Sequence, residues 1–122
     1  MAKVLGVGGV MFKADDPVAV REWYARVLGF EVTAWGGVAF PHPTVGKVAW
    51  SVSKLDSDNF APSAAPFMIN YVVDDMDGVL ARVKAEGVDL VGEPMNDNTY
   101  GRFAWLMDPA GVKVELWEPA KA

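Results

Sequence analysis

The stretch from Asp108 to Glu118 reads DPAGVKVELWE. Its opening Asp-Pro-x-Gly pattern is typical of a tight turn, because proline presets φ and glycine accepts the left-handed region. The residues after Gly111 alternate between inward and outward positions, which predicts a β-strand. Glu115 stands on that strand among Val, Leu and Trp. A carboxylate there is either a solvated edge group or a ligand placed inside a cleft.

Composition predicts one packed domain of 122 residues, because 52% hydrophobic and 22% charged residues are sufficient for a core. The net charge of -5 argues against a nucleic acid or an anionic membrane as partner. The absence of cysteine excludes disulfides, thiolate metal sites and thiol catalysis. No apolar run reaches the roughly 18 residues of a membrane helix, and the N-terminal residues do not resemble a signal peptide. We therefore expect a soluble cytoplasmic protein.

Two helices follow from the spacing of apolar residues. The first begins after Asp16 with Pro17 in its first turn and ends at Gly29. The second begins near Asp75 and ends at Gly87. The apolar positions with helical spacing are Val20, Trp23, Tyr24, Val27 and Leu28 in the first, and Met76, Val79, Leu80 and Val83 in the second.

The pattern of strand, helix and three further strands, βαβββ, occurs twice. Each helix follows a strand-like run that ends in an acidic pair, 8–13 in the first half and 67–73 in the second. Three extended runs follow each helix: 30–32, 37–40 and 47–53 in the first half, and 88–90, 101–107 and 113–117 in the second. The segment 93–100 is predicted to be a mobile connection between strands. The predicted fold is α+β: two βαβββ modules form curved mixed sheets, an incomplete barrel, with the helices on the outer face. Within the single domain of residues 1–122, module one covers about 4–54, the linker 55–66, and module two about 67–119.

The repeated βαβββ order, the segment WYARVLGFEV at 23–32 and the strand at 108–118 resemble the vicinal oxygen chelate superfamily. That group includes glyoxalase I, bleomycin-resistance proteins, fosfomycin-resistance enzymes and extradiol dioxygenases. The resemblance covers roughly Val7 to Pro119. It leaves activity open, because the scaffold hosts several chemistries and also binding proteins. In this superfamily two copies of the module commonly face each other to enclose the cleft, either within one chain or across a dimer. The resemblance therefore implies a homodimer, and it leaves open which of the two arrangements closes the cleft.

The resemblance also implies where a divalent metal would be held. Family enzymes use side chains from the first and last strands of both modules, and these positions correspond to Gly9, Trp50, Met68 and Glu115. Only Glu115 is a good ligand for a hard divalent cation, whereas a catalytic metal usually needs three protein ligands. His42 stands between two prolines, where an inward strand position is not favoured. We therefore predict no family-type metal site and no cofactor, with a divalent metal ion held by Glu115 as the alternative.

Glu115 has two interpretations. In the first it is a partly solvated carboxylate paired with Arg102 or Lys113; in the second it is a hydrogen-bond acceptor or general base inside the cleft. Arg102 likewise is either a surface residue or a contact for an anionic group at the cleft mouth. The candidate ligand-binding residues are Trp50, Met68, Asn70, Arg102, Trp105 and Trp117.

Three functions remain open. The first is a small-molecule binding protein of the bleomycin-resistance type, which takes a small aromatic ligand without a family-type metal. The second is a metal-dependent glyoxalase-like lyase, isomerase or dioxygenase that uses Glu115. The third is a metal-free enzyme in which Glu115 is the catalytic general base, assisted by Arg102 or Tyr100. Whether the protein is an enzyme is not decided by the sequence.

Overall fold

The computed structural model describes residues 10–41 and 48–120. Its elements are α1 (Pro17–Leu28), β1 (Met68–Val72), α2 (Met76–Ala85), β2 (Met95–Asp97), β3 (Gly101–Met107) and β4 (Lys113–Pro119). The strands form one sheet in the order β1-β4-β3-β2. β1 and β4 are parallel and the other pairs are antiparallel. The α+β class with an open mixed sheet is thus confirmed. No described helix is long and apolar enough to cross a membrane.

Both helices begin at the residues that the sequence predicts. Oδ1 of Asp16 accepts a hydrogen bond from the backbone N–H of Ala19 at 3.1 Å, and Pro17 occupies the first turn. Asp75 caps α2 in the same way through the N–H of Gly78 at 3.2 Å. Gly29 ends α1 in the left-handed conformation with φ 73. Such caps satisfy helix-end groups that have no partner within the helix.

The core lies between the helices and one face of the sheet. Its buried members are Val20, Trp23, Tyr24 and Val27 of α1, Met76 and Val83 of α2, Ala104 and Leu106 of β3, and Val114 and Leu116 of β4. Full burial of each large apolar side chain contributes about 1.5–3 kcal/mol to folding. Strand side chains alternate between faces, so the neighbouring residues on β3 and β4 lie on the other face of the sheet, which neither helix covers.

Module two has the predicted βαβββ order, but the strand after its helix is β2 rather than the predicted strand 88–90. The predicted strand 88–90 is reduced to one isolated bridge between Leu90 and Leu106. The regular strand is β2, which lies within the segment predicted to be an irregular loop over 93–100. Asp97 explains the difference, because Oδ1 of Asp97 accepts the N–H groups of Thr99 at 2.7 Å and Tyr100 at 2.8 Å. These bonds close a tight turn between β2 and β3.

Module one departs from the prediction. Within the described residues of this half, α1 is regular, and residues 10–13, 30–32, 37–40 and 48–53 form no strand. Gly9 and His42 lie outside the described residues. Several apolar side chains of this half are strongly exposed, among them Trp35, Phe40, Trp50 and Val52. These described segments therefore lack the cross-strand pairs that stabilise a sheet.

Candidate functional site

The face of the sheet opposite the helices carries most of the predicted site residues. We call it the open face. Its members are Met68, Asn70 and Val72 of β1, Met95 and Asp97 of β2, Phe103, Trp105 and Met107 of β3, and Lys113, Glu115 and Trp117 of β4. The strand register aligns Asn70, Glu115 and Trp105 in one row across the sheet. Residues that are distant in the sequence thereby become direct neighbours.

Two hydrogen bonds hold Glu115 at the middle of this row. Its Oε1 accepts a bond from Nδ2 of Asn70 at 2.7 Å, and its Oε2 accepts one from Nε1 of Trp105 at 2.7 Å. Both bonds are charge-assisted when the carboxylate is ionised, and such bonds are among the stronger ones in proteins. The carboxylate is therefore fixed in one orientation between β1 and β3, half-buried and on the open face.

Three aromatic rings lie beside this carboxylate. The rings of Phe103 and Trp105 are separated by 6.4 Å between centroids and tilted by only 11°. Those of Phe103 and Trp117 are separated by 6.0 Å and tilted by 3°. Nε1 of Trp117 donates to the backbone oxygen of Tyr100 at 2.7 Å, which fixes the outer ring. We call Phe103, Trp105 and Trp117 the aromatic trio.

One end of the open face is covered by the linker. Lys113 is only 8% exposed, and its Nζ donates to the backbone oxygen of Asn59 at 2.7 Å. The hydroxyl of Ser63 donates to the backbone oxygen of Gly111 nearby. Lys113 thus ties the linker to the start of β4. The accessible part of the open face is centred on Glu115 and the aromatic trio.

Arg102 lies on the opposite side of the sheet from Glu115. Its Nη2 donates to Oδ1 of Asp77 on α2 at 2.8 Å. This hydrogen bond lowers the pKa of the Asp77 carboxyl and raises the pKa of Arg102. The ion pairs found among the described residues are Arg102–Asp77 and Arg26–Glu86. Neither Arg102 nor Lys113, the two cations predicted as possible partners of Glu115, therefore forms an ion pair with it.

The structure brings some sequence candidates together and separates others. Met68, Asn70, Trp105 and Trp117 share the open face with Glu115. Arg102 does not, and Trp50 lies outside the sheet with 79% of its surface exposed. The sequence analysis did not name Phe103 as a candidate. Its position two residues before Trp105 indicates that the two side chains share one face of the strand.

The donors beside Glu115 do not fit a family-type metal. A Trp indole N–H cannot ligate a cation, and an Asn amide nitrogen that donates to the carboxylate does not ligate either. Within residues 10–41 and 48–120, no group of three or more His, Cys, Asp or Glu side chains could hold a metal ion. We therefore derive no chemical step through a metal.

Within the described residues, neither helix covers the open face. Two depressions lie elsewhere on the molecule. One of about 380 Å³ lies where the end of α1 meets the start of α2, beside Asp75 and Arg82. Another of about 630 Å³ lies between the start of α1 and Pro109. Neither of these two depressions is lined by an open-face residue.

The turn that leads into β4 is anchored in the core. The hydroxyl of Tyr24 donates to Oδ2 of Asp108 at 2.6 Å. Oδ1 of Asp108 accepts the N–H groups of Ala110 at 2.9 Å and Val112 at 2.8 Å. Burial, together with the nearby Tyr71 and Asp108, raises the pKa of Tyr24 far above its usual range. This buried contact connects α1 to the strand that carries Glu115.

Comparison with proteins of known sequence gives matches of two kinds. A family model described as "Glyoxalase/Bleomycin resistance protein/Dioxygenase superfamily" matches residues 6–116. Over 52 residues, 43% of this chain, the sequence is 36% identical to "Putative glyoxylase CFP32" of Mycobacterium bovis, and an identical match occurs in Mycobacterium tuberculosis. The matched stretch spans only 20% of the length of these curated relatives.

Solved structures share the fold at low sequence identity. VPC_CASS1 from the mobile metagenome of V. pseudocholerae superimposes with a TM-score of 0.63, 14% identity and coverage of 99% of both chains. TnmS3, an antibiotic-binding protein from Streptomyces sp. CB03234, gives a TM-score of 0.59 and 19% identity, with 98% of this chain and 100% of that chain covered. The match of the family model over nearly all of the sequence places this chain in the glyoxalase/bleomycin resistance protein/dioxygenase superfamily.

Proposed function

We propose that this protein binds a small flat aromatic molecule on its open face, without a family-type metal and without chemical turnover. The observation that carries the proposal is the aromatic trio beside the fixed carboxylate of Glu115. Aromatic pairs in stacked or edge-to-face geometry contribute about 0.5–1.5 kcal/mol beyond the burial of their area. Exposed ring surface beside one oriented polar group is a typical arrangement for recognising a planar ligand.

Binding is favoured over catalysis by what the open face lacks. Its ionisable members within the described residues are Glu115, Asp97 and Lys113. Asp97 is engaged by the turn between β2 and β3, and Lys113 by the backbone oxygen of Asn59. Proton transfer in an enzyme usually needs an acid and a base in reach of the substrate. Glu115 would have to perform both roles alone, and both of its oxygens already accept bonds from the protein.

The second wall of the site would come from a second copy of the chain. The open face is one curved surface, and a planar ligand on it is sandwiched only if another surface covers it. Module one exposes large apolar side chains, including Trp50 at 79% of full exposure, and Leu55 at the start of the linker is fully exposed. Monomeric proteins rarely leave such groups together in water. A homodimer would bury them and close the site. TnmS3 is an antibiotic-binding protein of the same fold, which is consistent with a binding role here.

The test is calorimetric titration with flat three-ring probes. We expect 9-aminoacridine or anthracene-9-carboxylate to bind saturably to the wild-type protein. Trp117→Leu should weaken that binding by roughly tenfold, because base-like stacking on one aromatic side chain contributes about 1–3 kcal/mol. Val18→Ala is the control, since Val18 is exposed on α1, away from the open face. The proposal fails if neither probe binds, or if both variants behave alike.

Metal-dependent and metal-free enzymes remain the competing functions. Metal analysis of protein purified without chelators, followed by thermal melts with Zn, Ni, Mn, Fe and Co, separates the first of them. Bound metal together with a rise in melting temperature that Glu115→Gln abolishes would favour a metal enzyme built on Glu115. Turnover of a bound ligand that Glu115→Gln abolishes, in protein free of metal, would favour the general-base enzyme.

A further inference from the structure

We propose that the ligand is a cation with hydrogen-bond donors at the edge of its aromatic ring, and that the open face discriminates against anionic ligands. This inference rests on the proposed binding function and deepens it. It follows from which polar atoms of the open face are already used by the protein and which are left for a ligand.

The two indole N–H groups of the open face are occupied within the chain, and Asn70 and Lys113 each use one of their N–H groups. Trp105 and Asn70 each direct an N–H to Glu115. Trp117 directs its indole N–H to the backbone oxygen of Tyr100. The ammonium of Lys113 bonds the backbone oxygen of Asn59, and its side chain is buried. An incoming carboxylate, phosphate or sulfonate would therefore find spare donors only in the second N–H of Asn70, which lies beside the Glu115 carboxylate, and in the ammonium of Lys113, which is buried.

Acceptor capacity, in contrast, is left over. A carboxylate offers about four lone-pair sites on its two oxygens, and the protein uses one on each oxygen of Glu115. The amide of Asn70 turns its nitrogen to Glu115, so its oxygen points away from that carboxylate. The polar part of the open face next to the aromatic trio thus offers more spare acceptor sites than spare donors, which matches a donor-bearing ligand.

The charge of the open face also favours a cationic ligand. The ion pairs among the described residues, Arg26–Glu86 and Arg102–Asp77, do not involve Glu115. Asp97 adds a second carboxylate to the open face, and Lys113 adds one ammonium, which is buried and bonded to the backbone oxygen of Asn59. The carboxylates thus outnumber the cation on this face, and the whole chain carries a net charge of -5. A cation is attracted both by Glu115 and by the π faces of the aromatic trio, because ring faces carry negative electrostatic potential. An anion meets repulsion from the same groups.

The experiment compares two probes of equal ring size and opposite charge. At neutral pH 9-aminoacridine is a cation with N–H donors, and anthracene-9-carboxylate is an anion. We expect the wild-type protein to bind the cation more tightly, on the order of tenfold or more, because a hydrogen bond to a charged group is stronger than a neutral one. The preference should shrink in high salt, since screening weakens attraction between exposed charges.

Glu115→Gln removes the charge while keeping the shape of the side chain. The variant is expected to fold, because Trp105 can still donate to the glutamine oxygen and Asn70 can turn its own oxygen towards the new amide nitrogen. We expect it to lose the preference for the cation and to leave the affinity for the anion equal or higher. Asp89→Asn is the matched control, because it removes the same charge from an exposed position outside the open face.

The outcomes separate this inference from the function on which it rests. If both probes bind with equal affinity, or the anion binds more tightly, the binding function stands and the cation preference is overturned. If neither probe binds, the proposed function and this inference fail together. If Glu115→Gln keeps the wild-type preference, or Asp89→Asn loses it equally, Glu115 is not the source of the discrimination and the inference is overturned.

Discussion

Trp105 donates its indole N–H to Oε2 of Glu115 at 2.7 Å, directly across the ladder between β3 and β4. The bond joins the aromatic part of the open face to its one central carboxylate. Asn70 holds the other carboxylate oxygen from β1, so three strands contribute to the position of a single charge. The contact makes the orientation of Glu115 a property of the sheet rather than of a flexible side chain.

Trp105→Phe should separate the role of this bond from the role of the ring. The substitution keeps an aromatic side chain but removes the N–H, so Oε2 loses its partner in a half-buried setting. We expect a decrease of about 1 kcal/mol in the free energy of unfolding, measured by urea denaturation. Tyr100→Phe is the control, because the Tyr100 side chain is exposed. Equal stability of Trp105→Phe and wild type would show that the bond does not hold Glu115.

Tyr24→Phe should destabilise the protein more than Trp105→Phe. It leaves Oδ2 of the buried Asp108 without its donor, and an unsatisfied buried polar group costs about 1–3 kcal/mol, more when it is charged. The expected loss is roughly 2 kcal/mol in urea unfolding. An unchanged midpoint would mean that the turn into β4 does not depend on its anchor in α1. Tyr100→Phe again serves as the exposed control.

Alkaline pH should lower the free energy of unfolding through ionisation of Tyr24 and Tyr71. Burial raises the pKa of Tyr24 and of Tyr71 above the ordinary value of about 10. A group whose pKa is raised by folding contributes full stability below its unfolded pKa and loses it as the pH rises towards the folded pKa. Unfolding free energy should therefore fall above about pH 10, with a slope of up to ~1.4 kcal/mol per pH unit for each tyrosine. Tyr24→Phe should have a shallower slope; an identical slope would contradict the assignment.

The fold could be predicted from the sequence where local rules and tertiary packing agree. Asp16 with Pro17, Asp75, and the Asp108-Pro109-Ala110-Gly111 turn satisfy backbone groups by themselves, so their positions follow from residue type. The same holds for the alternation on β4, which fixed the face of Glu115 before any contact was known. Strand 95–97 was missed because its pairing depends on a turn closed by Asp97, which apolar spacing does not reveal.

The candidate site could be predicted from the sequence only as far as the face of each strand. Alternation indicates which side chains share a face of one strand, but not which strands are neighbours. The bonds from Asn70 and Trp105 to Glu115 required the order β1-β4-β3, which brings residues 45 and 10 positions apart into one row. Arg102 shows the same limit: its charge left a ligand contact and a surface position both open, and its position beside Phe103 places it on the helix side with Asp77.

Arg102→Ala should leave ligand binding unchanged. Arg102 contacts Asp77 across the outer surface, so its removal breaks an exposed ion pair and alters nothing on the open face. We expect the dissociation constant of 9-aminoacridine to stay within about twofold of wild type. Trp117→Leu, measured in parallel, provides the comparison that must change. A tenfold loss of binding in Arg102→Ala would restore Arg102 to the site and refute the assignment of faces.

The protein should form a homodimer in solution. We expect light scattering during size-exclusion chromatography to give about twice the chain mass of 13.2 kDa at micromolar concentration, because a second copy would cover the apolar side chains that module one exposes. Trp50→Glu and Val52→Asp should each shift the protein towards monomer, since charge on a buried apolar interface is costly. Val18→Asp, on the exposed side of α1, is the control. Trp50→Glu and Val52→Asp should also weaken 9-aminoacridine binding in proportion to the loss of dimer. A wild-type protein that is monomeric and binds the probe with full affinity would show that one sheet is sufficient for binding.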